Sequence, residues 1–335
     1  MKSMHAAKKT PESVSFDDVA ALTDGDMRAV DKLISTSLAS DVVLVSQVSE
    51  YIVMSGGKRL RPLIVLLAAQ ALGYEGNQHV RAAAIIEFIH TATLLHDDVV
   101  DSSKRRRGQD SANTVFGNQA SVLVGDFLYS RAFQMIVDIG DMRITRILAD
   151  ATNTIAAGEV MQLMSVHDPD TTEKDYRQVI YRKTARLFEA GAQIAAVLAR
   201  QDTETETSMI DYGRHLGTAF QLVDDALDFD ASPDELGKNL GDDLAEGKAT
   251  LPLIYAMQKA SDDDSNLIRK AILEGGLDQL SQITAIIQST GALQYTAEKA
   301  REAADLAIES LRNIRDSEYK QALINIAELS IQRRS

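Results

Sequence analysis

The sequence contains no cysteine, which excludes a disulfide framework, a thiolate metal site and a thiol nucleophile. It has no tryptophan, aromatics make up 5%, and there are only 5 prolines in 335 residues. The prolines stand at 11, 62, 169, 233 and 252, so Leu63 to Asp168 and Leu253 to Ser335 contain none. Uninterrupted apolar runs are short: the longest, Leu63 to Ala69, falls far below the roughly 20 residues of a membrane span. The opening MKSMHAAKKTPESVSFDD has a basic pair but no apolar core of a secretory signal, and a cytoplasmic protein is expected. Positive charge is in deficit, with a net −14, which argues against nucleic acid as a partner because a phosphate backbone needs a basic surface. A small anion held in a local basic pocket is not excluded.

What is present is helical in character. The chain is 45% hydrophobic and 25% charged, an ordinary globular balance that excludes disordered and low-complexity classes. Ala, Leu, Ile, Asp, Glu, Arg and Gln dominate the long proline-free stretches, and that combination predicts an all-α protein. A flexible segment is expected over 1–15 and one domain over 16–335. Helices are expected over Met27–Thr36, from Val42 to the Ser55-Gly56-Gly57 stop, and from Lys58 with Pro62 in its first turn. Further helices are expected over His79–Asp101, Asn118–Val137, 142–166, 173–200, 204–229 and 250–260. Several of these are apolar on nearly all sides, which means helices surrounded by helices.

The chemistry concentrates at helix ends. In His96-Asp97-Asp98-Val99-Val100-Asp101, Asp97 and Asp101 are four apart and share one helix face. Like charges so placed repel unless a cation lies between them, and hard ions such as Mg²⁺ favour carboxylate oxygens. A solvated acidic helix end is the plain alternative. Asp224-Asp225-Ala226-Leu227-Asp228 repeats the pattern after another apolar stretch, so the two clusters are read as two walls of one cavity binding Mg²⁺ and a polyphosphate. Lys58, Arg59 and Arg61 open one helix, and Lys104-Arg105-Arg106-Arg107-Gly108 follows the first acidic cluster. A solvated charged face would be the ordinary account. Beside the aspartates in an acidic chain, they read as an anion site. Gly237-Lys238-Asn239-Leu240-Gly241-Asp242-Asp243, ending in Gly247-Lys248, is by itself only a turn. Lys238 and Lys248 could close over a diphosphate there, with Asp242 holding a metal-bound water.

GGKRLRP, FIHTATLLHDDVVDSSKRRRG, GDFLYSRAF, YRKTARLF, FQLVDDALDFD and GKNLGDDLAEGKATLP together resemble the trans-prenyltransferases, the head-to-tail isoprenyl diphosphate synthases. Within that family the resemblance is greatest to the branch of bacterial octaprenyl diphosphate synthases that serve ubiquinone. It implies an all-α, single-domain bundle around a deep central cavity, a homodimer, and three Mg²⁺ ions. Carried over by motif, Asp97 and Asp101 would bind two of the ions and Asp224 the third, supported by Asp98, Asp225 and Asp228. Lys58, Arg61, His90 and Arg107 would hold the diphosphate of isopentenyl diphosphate. Arg106, Lys183, Lys238 and Lys248 would hold the allylic diphosphate, with Lys104 or Arg105 able to share the role of Arg106. Lys183, Thr184 and Gln221 would stand at the reacting carbons. His96 is read as structural.

Two rivals differ from this reading. A class I terpene cyclase would carry a different second metal motif and more aromatic residues. A non-catalytic subunit would have lost acids or arginines, and both sets are intact. For product length, Thr93 lies four residues before Asp97, about 5–6 Å beneath it, with Ala92 beside it. Both are small where short-chain relatives place aromatics, which implies a long product. The floor is then expected on the facing helix, at Tyr129, Phe133, Met135 and Ile136, although ordinary core packing accounts for such a stripe equally well.

Overall fold

The proline-free stretches form helices, as their composition requires. A computed structural model describes residues 14–54, 56–230 and 240–332. Helix α1 (Phe16–Ala21) begins behind a reciprocal capping box. The Ser15 hydroxyl accepts the Asp18 N–H at 3.2 Å, and the Asp18 carboxylate accepts the Ser15 N–H at 2.8 Å. Ser15 is therefore already structured, although it was expected in the flexible segment; residues 1–13 lie outside the described residues. Helix α2 spans Asp24–Ser37, longer at both ends than expected, and α3 spans Val43–Met54.

Helix α4 (Leu60–Ala71) carries Pro62 in its first turn and is buried along nearly its whole length. Helix α5 (Gln78–Val100) has 23 residues, about 35 Å at 1.5 Å per residue. After it comes the one strand pairing among the described residues: β1 (Arg105–Arg106) pairs antiparallel with β2 (Gln109–Asp110). Arg107 and Gly108, at φ +52° and +78°, make the two-residue turn, the left-handed geometry a tight hairpin demands. Composition gave no sign of this ribbon. It aims Arg106 back toward α5 and Arg107 toward the Gly56 carbonyl ahead of α4.

Next come α6 (Ala112–Phe116), α7 (Asn118–Ile139), α8 (Met142–Ser165) and α9 (Glu173–Ile180). The helix expected over 173–200 is interrupted by a widened π-turn at Tyr181–Ala185 before α10 (Arg186–Leu198). Then follow α11 (Thr203–Asp230), α12 (Asp242–Ala245), α13 (Leu251–Lys259), α14 (Asp262–Glu274), α15 (Leu280–Ser289), α16 (Ala292–Ser310) and α17 (Glu318–Ile331).

Packing follows from which helices are apolar all round. α5 lies against α7, α10 against both α4 and α11, and α11 against α16. One core joins α5, α7 and α8, including Ile85, Ile89, Leu95, Leu128 and Ile136. A second joins α4, α10, α11 and α17 around Leu63, Phe188 and Tyr212. A third gathers α13 to α16 on the C-terminal half of α11. Each fully buried Leu, Ile or Phe contributes about 1.5–3 kcal/mol relative to exposure, so α5 and α11 are each fixed by a core of their own. Among the described residues no helix is long and apolar enough to cross a membrane.

Candidate active site

A cavity of about 580 Å³ opens where the C-terminal parts of α5 and α11 face each other. α8 and the π-turn line a third side, the start of α4 lines one end, and the segment from Asp243 to Thr250 lines the other. Asp97 and Asp101 from α5 line the cavity with Asp224 and Asp225 from α11. The two motifs do form facing walls. Lys58, Arg61, His90, Arg106, Arg107, Lys183, Thr184, Gln221 and Lys248 line the same space.

Two lysines pair with the acids of the α5 wall. Lys183 Nζ lies 3.3 Å from Asp97 and 2.6 Å from Glu159, and donates to Gln162 at 2.7 Å. Lys248 Nζ lies 2.9 Å from Asp101 and 2.5 Å from Glu246. Burial disfavours both ammonium groups, but the surrounding carboxylates outweigh it and raise their pKa values. Burial pushes the Glu159 carboxyl up to about 7 against the pull of Lys183.

The opposite end is cationic. Arg61 donates to His90 Nε2 at 3.0 Å and stacks on the Phe188 ring at 4.5 Å from its centroid. Burial, then the charge of Arg61, holds His90 well below the ordinary histidine pKa. Accepting at Nε2, the neutral ring carries its proton on Nδ1. Arg107 donates to the Gly56 carbonyl, and a Cβ at Gly57 would lie 2.7 Å from the guanidinium carbon. Gly57 also sits at φ +130°, backbone geometry that glycine alone adopts readily. Arg105 instead donates to Gly108 O at 2.8 Å in an exposed position. Neither it nor Lys104 lines the cavity.

The π-turn supplies the remaining contacts. π-turns recur at functional sites because one extra residue redirects side chains without ending the helix. Here it sends Lys183 toward α8 and Thr184 toward α11, where Thr184 donates to Gln221 Oε1 at 2.8 Å. The turn is squeezed between two helical glycines. A Cβ on Gly158 would sit 2.7 Å from Arg182 Cβ, and one on Gly217 would sit 2.6 Å from Ala185 Cα.

Several expected residues sit elsewhere. Asp98 is fully buried and faces away from the cavity; Arg106 grips it through Nε at 2.8 Å and a second nitrogen at 2.6 Å. Its neighbours Asp97 and Asp101 point inward, and one residue along a helix is a rotation of about 100°. Asp98 therefore orients Arg106 rather than presenting a metal ligand. Asp228 is also buried and accepts the Asp243 N–H at 3.3 Å; Asp243, not Asp242, reaches the cavity. Asp225 reaches it, but its oxygens accept Tyr176 Oη at 2.5 Å and Gln221 Nε2 at 2.7 Å. Burial, with Asp243 nearby, raises its carboxyl to about 8.

Lys238 lies outside the described residues. Thr93 lines the cavity, whereas Ala92, Met135 and Ile136 are buried in the first core, and Tyr129 and Phe133 pack on that core with ring centroids 5.5 Å apart. None of the four expected floor residues lines the cavity. His96 bridges α5 to α7 through Val122 O at 3.2 Å and Asp126 at 3.3 Å, a structural role as expected. Glu159, Gln162, Tyr176 and Glu87 were not expected at the site, and Asp243 stands there in place of Asp242. Only the i, i+3 spacing of Glu159 and Gln162 could have pointed to one shared face.

The donors suit a hard divalent cation. Among the described residues no three carboxylate or imidazole groups converge as a closed cage. Facing carboxylates with no third protein ligand match an ion such as Mg²⁺, which takes one or two carboxylates and completes its shell with water and substrate phosphates.

A family model described as polyprenyl synthetase matches residues 42–289. An octaprenyl diphosphate synthase of Escherichia coli is 52% identical over 321 residues, covering 96% of this chain and 99% of that protein. An all-trans-nonaprenyl-diphosphate synthase (geranyl-diphosphate specific) of Rhodobacter capsulatus is 47% identical over 317 residues, covering 94% and 97%. The crystal structure of a polyprenyl synthase from Caulobacter crescentus, complexed with calcium and isoprenyl diphosphate, superposes with a TM-score of 0.93 at 41% identity, covering 97% of this chain and 100% of that one.

Proposed function

This chain belongs to the polyprenyl synthetase family, and from that premise we propose that it is a long-chain trans-polyprenyl diphosphate synthase. It condenses isopentenyl diphosphate head-to-tail onto an allylic diphosphate, farnesyl diphosphate as primer, to give octaprenyl diphosphate for the ubiquinone side chain. The observation that carries this is one cavity with carboxylates on two facing helices and arginines and a histidine at one end. That arrangement suits two diphosphates and divalent cations, and it lacks an activated nucleophile. Bound divalent cations, three Mg²⁺ in this reading, supply Lewis-acid neutralisation of the departing diphosphate.

The chain's own groups do the rest. Asp97, Asp101 and Asp224 would hold the cations. Lys183, Lys248, Arg106 and Lys238 would hold the allylic diphosphate as its C–O bond ionises, fixed cations being worth most in a water-poor site. Thr184 spends its proton on Gln221, which leaves oxygen lone pairs to face the allylic cation. Lys58, Arg61, His90 and Arg107 would orient isopentenyl diphosphate so that its alkene attacks that cation. The leaving diphosphate can accept the proton then lost. Exposed apolar side chains on α7 and α8, among them Leu123, Val137, Leu163 and Met164, support a homodimer.

Purified protein incubated with labelled isopentenyl diphosphate, farnesyl diphosphate and Mg²⁺ should yield an eight-unit chain by chromatography. Cyclised hydrocarbon, or no elongation, would reject the reading. The two diphosphate sites should separate kinetically. Lys58→Ala and Arg61→Ala should raise KM for isopentenyl diphosphate, and Lys248→Ala should raise that for the allylic substrate. A lost charge-assisted hydrogen bond costs about 1.5–3 kcal/mol, roughly 10- to 150-fold. Initial rates with each substrate varied in turn decide it, and the opposite dependence would overturn the partition.

A further inference from the structure

Arg59 stands between Lys58 and Arg61 yet turns away from the role given to them. Its backbone is left-handed, at φ +46°, where α4 begins. Its guanidinium reaches three helices: it pairs with Glu87 on α5, donates to Val53 O of α3 at 3.3 Å, and lies 3.8 Å from Asp31 on α2. Glu87 is buried, lines the cavity, and stands one turn before His90 on α5. It is thus a carboxylate inside the cationic end of the site, paired with Arg59 and near Arg107. Coulomb's law alone makes an acid there unfavourable for binding an anion.

We propose that Arg59 and Glu87 are a positioning pair for the isopentenyl diphosphate site. The pair locks the first turn of α4 onto α5, so that Lys58 and Arg61 meet His90 at fixed separation, and neither member holds the substrate. A left-handed residue persists only where its surroundings over-determine it, and three anchors on three helices do so here. Arg59 is suited to this because its planar fork can hold a carboxylate and a carbonyl at once, which an ammonium cannot do in fixed geometry. The inference rests on the placement of isopentenyl diphosphate proposed above.

The sign of one measurement tests it. Calorimetric titration of the full chain with isopentenyl diphosphate gives Kd without requiring turnover. If Glu87 is only a misplaced negative charge, Glu87→Gln should tighten binding. If it positions the site, Glu87→Gln should weaken binding on the order of tenfold, with KM for the allylic substrate nearly unchanged. Arg59→Lys keeps the charge and loses the fork, and should weaken binding to a similar extent; it carries the test if Glu87→Gln fails to fold. The exchanged pair Arg59→Glu with Glu87→Arg should recover part of the loss. Binding that is unchanged or tighter in folded Glu87→Gln or Arg59→Lys would overturn the proposal. A wild-type chain that binds isopentenyl diphosphate without elongating farnesyl diphosphate would refute the proposed function and leave this test intact.

Discussion

Asp97→Ala or Asp224→Ala should leave a folded protein whose condensation rate falls by about a thousandfold or more, since each removes a hard oxygen donor from a site where fixed charge carries most of the rate enhancement. The fold should survive. Asp97 is on the cavity wall, and its partner Lys183 keeps Glu159 and Gln162. Removing Asp97 also relieves its repulsion with Asp101 one turn away, so stability without metal should stay near that of the wild type. Cations give the second signature. A ligand at a hundred times its Kd stabilises a fold by about 2.7 kcal/mol, so Mg²⁺ should raise the melting temperature of the wild type and do so much less in either variant. Turnover across a Mg²⁺ titration, with melting curves alongside, decides the matter. A folded variant retaining more than about a tenth of wild-type activity at limiting Mg²⁺ would show that the carboxylate is not a ligand.

The second large effect is on product length. Thr93 lines the cavity about one turn from Asp97, while Ala92 is sealed into the core with Ile89 and Leu128. Thr93→Tyr should therefore shift the product to much shorter chains while the first condensation persists, because the added ring stands in the path of growth. Ala92→Tyr should act differently. It forces a ring into closed packing at a cost of about 1–3 kcal/mol, visible as a lower melting temperature together with any change in product. Phe133→Ala should lengthen the chain if growth proceeds into that cluster. Chromatography of the products, with a melting curve for each variant, separates the cases. Folded, active Thr93→Tyr still making full-length product would remove Thr93 from the account.

Much of the site was legible because it is written in local spacing. Asp97 with Asp101, and the repeat at Asp224, announce one helix face each, and the apolar stretches before them announce burial. Rotation about the helix axis was not legible, since spacing cannot say which of two consecutive acids points inward. Asp98 and Asp97, and Ala92 and Thr93, are pairs that only tertiary packing divides. Glu159 and Gln162 look like any polar pair on an amphipathic helix until Lys183 arrives beside them. Lys183 arrives there because of the π-turn, which leaves no trace in the pattern of apolar residues.

That π-turn has a consequence for how the chain can change in length. Loops absorb insertions and deletions at little cost, and most of the surface between these helices could do so. Between Glu173 and Leu198 the chain has no such freedom. Deleting one residue at Tyr181–Ala185 would restore a regular helix with both flanks nearly in place, but the offset that the extra residue gives the side chains inside the turn would be lost. Lys183 could then no longer face Asp97 while Thr184 faced Gln221. The neighbouring backbones at Gly158 and Gly217 already touch the turn, so no slack remains to take up an added residue either. Descendants of this sequence should hold the number of residues along α9 and α10 constant even where the exposed side chains change.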